Sequence, residues 1–202
     1  MPVPLALANE KQPNLSRDMA LSMKWRALRI FPILPILSLL PCLLMPTTLP
    51  AQSGPQDLRA FFSPNGGCTD AVVSALKAAQ KRVLVQAYSF TSVPIAKALV
   101  DAKRRGVDVR VILDKSQRTE RYTGATFLAN EGVPVFIDAD HRIAHNKVMV
   151  IDGQTVITGS FNFTKAAESG NAENVLLILH APDLAKKYGE NWDEHLAHSR
   201  KY

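Results

Sequence analysis

Cysteine is almost absent from this 202-residue chain. There are two, Cys42 and Cys68, so a dense disulfide framework is excluded. No low-complexity tract and no internal repeat is visible, which excludes solenoids and arrays. No Cys/His group or set of carboxylates stands at metal-ligand spacing along the chain, so neither a metal nor a cofactor is expected. A long clean apolar run is missing too. The one extended candidate, Ile30 to Met45, is interrupted by Pro32, Pro35 and Pro41 and is short for a membrane span. What remains, 47% hydrophobic and 21% charged residues, is the composition of a globular protein.

The apolar run follows a basic cluster, Lys24, Arg26 and Arg29, and ends in Pro46-Thr-Thr-Leu-Pro-Ala51. Basic, apolar, then small residues is the order of a secretory signal. The expectation is a signal peptide over 1–51, removed after Ala51, and one domain over 52–202 that is periplasmic or secreted. An uncleaved anchor is the alternative. Met19 and Met23 are candidate later starts, and proline before Cys42 makes a poor lipoprotein box. Five of the 24 Lys/Arg and two of the 18 Asp/Glu precede residue 52, so the net charge falls from +6 to +3 in the remainder. A mild positive charge is compatible with a polyanionic partner without demanding one. Cys68 then reads either as a small buried residue or as an intermolecular bridge.

The periodicity predicts a short strand at Ala60-Phe61-Phe62, a turn at Asn65-Gly66-Gly67 and a helix capped by Thr69 or Asp70. Strands follow at Val83–Ser89, Val107–Leu113 and Val133–Ile137, separated by helices from Ser92 to Arg105 and from Gly124 to Asn130. Later strands fall at Lys147–Ile151, Thr155–Thr158 and Asn174–Leu179, before a last helix from Pro182 to His198. Alternating strands and helices, then strands joined by tight turns such as Asp152-Gly153, predict an α/β fold. Its mixed β-sheet should be flanked by helices on both faces.

Against this frame one pattern stands out, His145-x-Lys147-x4-Asp152-x6-Gly159-Ser160-x-Asn162, and it occurs once. Alternation along a strand would aim His145 and Lys147 to one face, with Met149 deeper in register. Cleaving a phosphodiester takes a nucleophile, donors for the phosphate oxygens and an acid for the leaving oxygen. Neutral imidazole suits the first role, so His145 is the candidate nucleophile. Lys147 and Asn162 suit the non-bridging oxygens, and Ser160 adds a hydroxyl donor. Glu173 is the candidate acid to orient the imidazole. Asp152, at a turn, reads as a structural and electrostatic partner of this set. His141, His180, His195 and His198 read as ordinary structural or surface histidines.

The pattern resembles the signature of the phospholipase D superfamily, and the likeness runs from about Phe61 to Tyr202. It includes Ala87-Tyr-Ser-Phe-Thr91, Lys103-Arg-Arg-Gly-Val-Asp-Val109, Gly159-Ser-Phe-Asn-Phe-Thr-Lys-Ala-Ala-Glu168 and Asn171-Ala-Glu-Asn174. As a set these are similar to the small exported single-motif endonucleases of that superfamily. The resemblance implies His145 as nucleophile, Lys147 and Asn162 as phosphate ligands, Ser160 as supporting donor and Glu173 as orienting acid. It also implies a homodimer whose two copies of His145 face each other across the two-fold interface. One would form a phosphohistidine and the other would protonate the leaving oxygen, without a metal.

A nonspecific endonuclease acting on DNA, with RNA also open, is the leading expectation. Lys103, Arg104, Arg105, Arg110, Arg118 and Arg121 are candidates for a nucleic-acid path. The bland alternative for the first three is a solvated helix C-terminus, where cations are favourable anyway. The competing functions are a phospholipase or phosphatidyl transferase and a non-catalytic nucleic-acid-binding module. No amphipathic membrane-binding segment is evident.

Overall fold

A computed structural model of the chain describes residues 57–119 and 123–202. The expected signal, its cut at Ala51 and Arg121 lie outside these residues. Among the described residues, no helix is long and apolar enough to cross a membrane.

The elements run β1 (Asp57–Phe62), α1 (Cys68–Ala78), β2 (Arg82–Ala87), α2 (Val93–Arg104), β3 (Asp108–Asp114), a 3-10 turn (Lys115–Arg118), α3 (Gly124–Asn130) and β4 (Val135–Asp138). After them come β5 (Lys147–Ile151), β6 (Thr155–Gly159), α4 (Lys165–Ser169), β7 (Asn174–Leu179), α5 (Pro182–His198) and β8 (Arg200–Lys201). The strands form one sheet of order β1-β7-β6-β5-β2-β3-β4-β8. Pairs β2/β3 and β3/β4 are parallel, as helical crossovers require. The hairpin strands β5, β6 and β7 pair antiparallel, and β5 joins the two halves by running antiparallel to β2. The sheet is therefore mixed, as expected from the switch between crossovers and tight turns.

Every residue of β5 is buried, and so are five of the six in β2, because helices cover both faces. On one face Val85, Val111, Met149, Ile157 and Leu177 pack under α1 and α2 with Val72, Leu76, Ile95 and Leu99. On the other face Leu84, Ile112, Val148, Val150 and Val156 pack against Ala185 and Trp192 of α5. Trp192 is buried, and its indole N–H donates to the Val85 carbonyl over 3.0 Å. That bond seats α5 on the middle of the sheet.

Some expectations needed correction. Helix α1 begins at Cys68 with Gly67 as its N-cap, not Thr69 or Asp70. A distant side chain does the capping: Glu168 accepts the Thr69 N–H at 2.6 Å. Cys68 is fully buried, which favours the apolar reading over an intermolecular bridge, and burial followed by the Glu168 charge pushes its thiol pKa up. The 3-10 turn, α4 and β8 were not anticipated, because segments of two to five residues are too short to show a period.

Strand direction decides what the fold can do. Strands β2, β3, β4 and β6 end at the edge of the sheet where β5 and β7 begin. The loops after β2 and β3 and the β4–β5 and β6–β7 connections thus collect at one end. The opposite end holds the turn Asp152-Gly153, where both residues have positive φ and Gln154 N–H closes onto Ile151 O, a hairpin turn matched to strand twist.

Truncating Trp192 to Ala removes both its packing and its hydrogen bond. We expect a loss of about 3–5 kcal/mol, measured by urea unfolding, with little change for a surface control such as Lys186→Ala. A loss near zero would mean that α5 is not a structural layer.

Candidate active site

His145 is not a strand residue, contrary to the alternation argument. It lies in the segment before β5, exposed, while Lys147 opens the strand opposite Ala87 of β2. Only Lys147 and Met149 obey the shared-face rule. The His145 segment is held by its neighbours instead. Ala144 N–H donates to buried Asp114 at 2.8 Å, and Tyr88 N–H donates to the Asn146 carbonyl at 2.9 Å. The His145 ring packs against Tyr88 with centroids 4.7 Å apart. Among the described residues the ring makes no hydrogen bond.

Lys147 is only 7% exposed. Its ammonium donates to the His145 carbonyl at 3.0 Å and stands 5.2 Å over the centre of the Tyr88 ring. Burial pushes its pKa down, and the charge of Glu173 opposes that shift. The result is a cation poor in solvent and set beside an exposed imidazole. An anion entering here would meet a charge that water does not screen.

The second strip of the site comes from β6 and β7. At Gly159 φ is 147°, and a Cβ there would strike the Asn174 carbonyl, so the close approach requires glycine. Ser160 and Asn174 then lock together. Ser160 N–H donates to Asn174 Oδ1 at 2.9 Å, and Asn174 N–H donates to Ser160 Oγ at 3.1 Å, which leaves the hydroxyl hydrogen available. Phe161 and Phe163 are buried on either side of Asn162 and anchor it. The Asn162 amide oxygen is buried without a partner among the described residues, and a half-turn of the amide would present its NH₂ instead. Glu173 accepts from Asn162 N–H at 3.1 Å and from the Asn171 amide at 2.7 Å. Within one chain, then, Glu173 braces Asn162 and biases Lys147, and it makes no hydrogen bond to His145. Tyr88, Asp114, Asn171 and Asn174 are contributors that the spacing pattern did not assign. An aromatic just past the end of β2 was their most legible sign.

Asp152 stands apart. It lies at the far end of β5, about 17 Å along the strand from Lys147. Its carboxylate accepts backbone N–H groups of Gln80, Lys81 and Arg82 at 2.9, 2.7 and 2.9 Å. Partial burial opposes its ionisation. The three N–H donors and the Lys81 charge outweigh that, and its pKa is lowered. Asp152 therefore ties α1, β2 and β5 together and does not touch the site.

Most of the expected basic path is also at the wrong end. Helix α2 runs back against β2 and carries Lys103, Arg104 and Arg105 away from Lys147. There Arg104 pairs with Glu131 at 2.7 Å and Arg105 donates to the Leu76 carbonyl at 2.9 Å. Arg110 pairs with Asp108 low on β3. Among the described residues, exposed cations at the site end include Lys115, Arg118, Arg142 and Lys165.

Sequence spacing showed no metal-ligand group, yet the fold gathers Asp138, His141, His195 and His198 with their ligand atoms within 4.8 Å of one another. Two pairs 54 or more positions apart could not be matched by spacing along the chain.

Comparison with known proteins agrees with this fold. Residues 72–196 match the family described as "Cardiolipin synthase, PLD-like domain". A phospholipase D of Rickettsia typhi is 44% identical over 137 residues, 68% of this chain and 67% of that one. The mitochondrial cardiolipin hydrolase of Xenopus laevis is 32% identical over 59% of each chain. Among solved structures, Nuc from Salmonella typhimurium, a phospholipase D family member, superposes with a TM-score of 0.71. It is 41% identical, and the match covers 73% of this chain and 99% of that one.

Asp152→Asn tests the separation of scaffold from site. The depressed carboxyl contributes stability above its unfolded pKa, near 3.8, and that contribution fades as pH falls through the lower folded value. Urea unfolding should show the variant weaker by about 1–2 kcal/mol at neutral pH, with the gap closing in acid. Equal stability at neutral pH would contradict this role for the carboxylate.

Proposed function

The chain belongs to the phospholipase D superfamily of phosphodiesterases, and on that premise we propose that it is a nonspecific endonuclease working through a covalent phosphohistidine. One observation carries the substrate choice. The exposed His145 stands at a sheet end from which Lys115, Arg118, Arg142 and Lys165 also project, all exposed. Such a rim suits a chain of phosphates, and contacts to phosphate carry no base preference.

The imidazole of His145 attacks phosphorus, and a P–O bond to one nucleoside breaks. Lys147 and the Asn162 amide take the charge that builds on the non-bridging oxygens, and Ser160 adds its hydroxyl hydrogen. A second imidazole protonates the departing oxygen and then takes a proton from the water that releases the phosphoryl group. One chain holds one such motif, so the second imidazole is assigned to His145 of a two-fold partner. The basic and apolar order of the first 51 residues supports a periplasmic or secreted location for the proposed enzyme.

A phospholipid substrate is the second reading. Ile143, two residues before His145, is 51% exposed, and an apolar side chain beside the nucleophile suits a lipid. The phospholipase D and cardiolipin hydrolase relatives lend it weight. A single assay set separates the readings: the purified chain on plasmid DNA, on RNA and on phospholipid vesicles. We expect DNA cleavage that falls by about ten-thousandfold in His145→Ala and by about a hundred- to a thousandfold in Lys147→Met. Lipid turnover without DNA cleavage would replace the nuclease reading, and binding without turnover of any substrate would remove both.

The shared site has its own arithmetic. Wild-type and His145→Ala chains, unfolded together in equal amounts and refolded, should retain about a quarter of the wild-type activity if each site needs both histidines. Retention of one half would mean that each chain works alone.

A further inference from the structure

At the end of β4, three imidazoles from two elements converge on one oxygen of a fully buried carboxylate. Oδ2 of Asp138 lies 2.7 Å from Nδ1 of His195, 3.0 Å from Nδ1 of His141 and 3.3 Å from Nε2 of His198. The Asp138 side chain has no solvent exposure. The three rings crowd together, with centroids 4.8, 5.1 and 5.3 Å apart. We propose that Asp138, His141, His195 and His198 form a binding site for a zinc-class divalent cation, separate from the proposed nucleophile.

The donor set fits the ion. Three imidazole nitrogens and one carboxylate oxygen are donors that zinc, a borderline ion, takes in four-coordinate sites. With bonds of about 2.0–2.1 Å, neighbouring ligand atoms of a tetrahedron stand about 3.3 Å apart. The three distances to Asp138, 2.7, 3.0 and 3.3 Å, lie at or just below that spacing. The widest pair, within 4.8 Å, needs to close by about an ångström or more. His141 can supply much of that movement, since its side chain is 48% exposed.

The backbone presents the ligands in pairs. His195 and His198 sit one turn apart on the last turns of α5, so they share a helix face. Asp138 and His141 flank the turn that leaves β4, and Lys115 holds the His141 carbonyl at 2.9 Å. A second observation points the same way. Gln86 is 2% exposed, both of its amide atoms lack partners among the described residues, and it lines the same small cavity as Asp138 and His195. Metal-bound imidazoles need an outer acceptor for their second N–H, and a buried amide that lines the same cavity as His195 offers that chemistry.

The consequence is mechanical. An ion here would tie α5 to the segment that begins at Asp138 and reaches His145 four residues past His141. It would brace the His145 segment without touching phosphate, whichever phosphodiester the enzyme cleaves.

The test uses the full chain, purified without a polyhistidine tag, stripped with chelator and dialysed. Zn²⁺ alone is titrated by calorimetry, and Co²⁺ is used to read four-coordinate geometry from its visible bands. We expect one equivalent bound per chain. Free Zn²⁺ at about a hundred times Kd should raise Tm by roughly 5–10 °C. His141→Ala and His195→Ala should weaken binding by about tenfold or more, while His180→Ala and His145→Ala leave it intact. His141→Ala is the deciding variant if His195→Ala fails to fold, because its ring is half exposed. No stoichiometric uptake, or uptake that survives His141→Ala, would overturn the site. Uptake lost in His145→Ala would overturn it too, by moving the ion to the nucleophile.

Discussion

A buried ammonium at the end of a strand organises the chemical end of this protein. Charged groups removed from water are costly unless paired or bonded. Lys147 meets that demand with the His145 carbonyl, the face of Tyr88 and the field of Glu173. Each of those partners is placed by something else. The His145 segment is pinned by Asp114 and Tyr88, and Glu173 is tied to Asn162 and Asn171. The cation is therefore held by the same segments that carry the imidazole and brace the second strip of the site.

The sheet divides labour between its two ends. Loops at the site end are joined by side-chain bonds that leave hydrogen-bonding capacity unspent, as at Asn162 and the Ser160 hydroxyl. The other end is closed. Asp152 satisfies three backbone N–H groups there, and Arg104, Arg105 and Arg110 are spent on Glu131, helix carbonyls and Asp108. A motif residue and an array of cations, which a linear reading would add to one site, instead hold the scaffold.

The chemistry depends on packing at a distance. Phe161 and Phe163 fix Asn162 from below, while Trp192 seats α5 against the centre of the sheet. Helix α5 then returns His195 and His198 to the end of β4 beside Asp138. The candidate site thus rests on buried packing beside and beyond it.

Much was determined by sequence alone. The order of elements, the mixed sheet and the core faces follow from local periodicity and turn chemistry, which act over a few residues. The grouping of His145, Lys147, Ser160 and Asn162 was legible because the hairpin of β5 and β6 keeps them close along the chain. Tertiary structure alone decided which of these side chains is buried, that His145 lies outside its strand, and that Asp152 faces away. It also decided that Lys103 to Arg105 leave the site and that Asp138 meets three histidines. The physical reason is common to all of these. Burial, strand direction and contacts between residues dozens of positions apart come from how layers pack, and no local pattern encodes that.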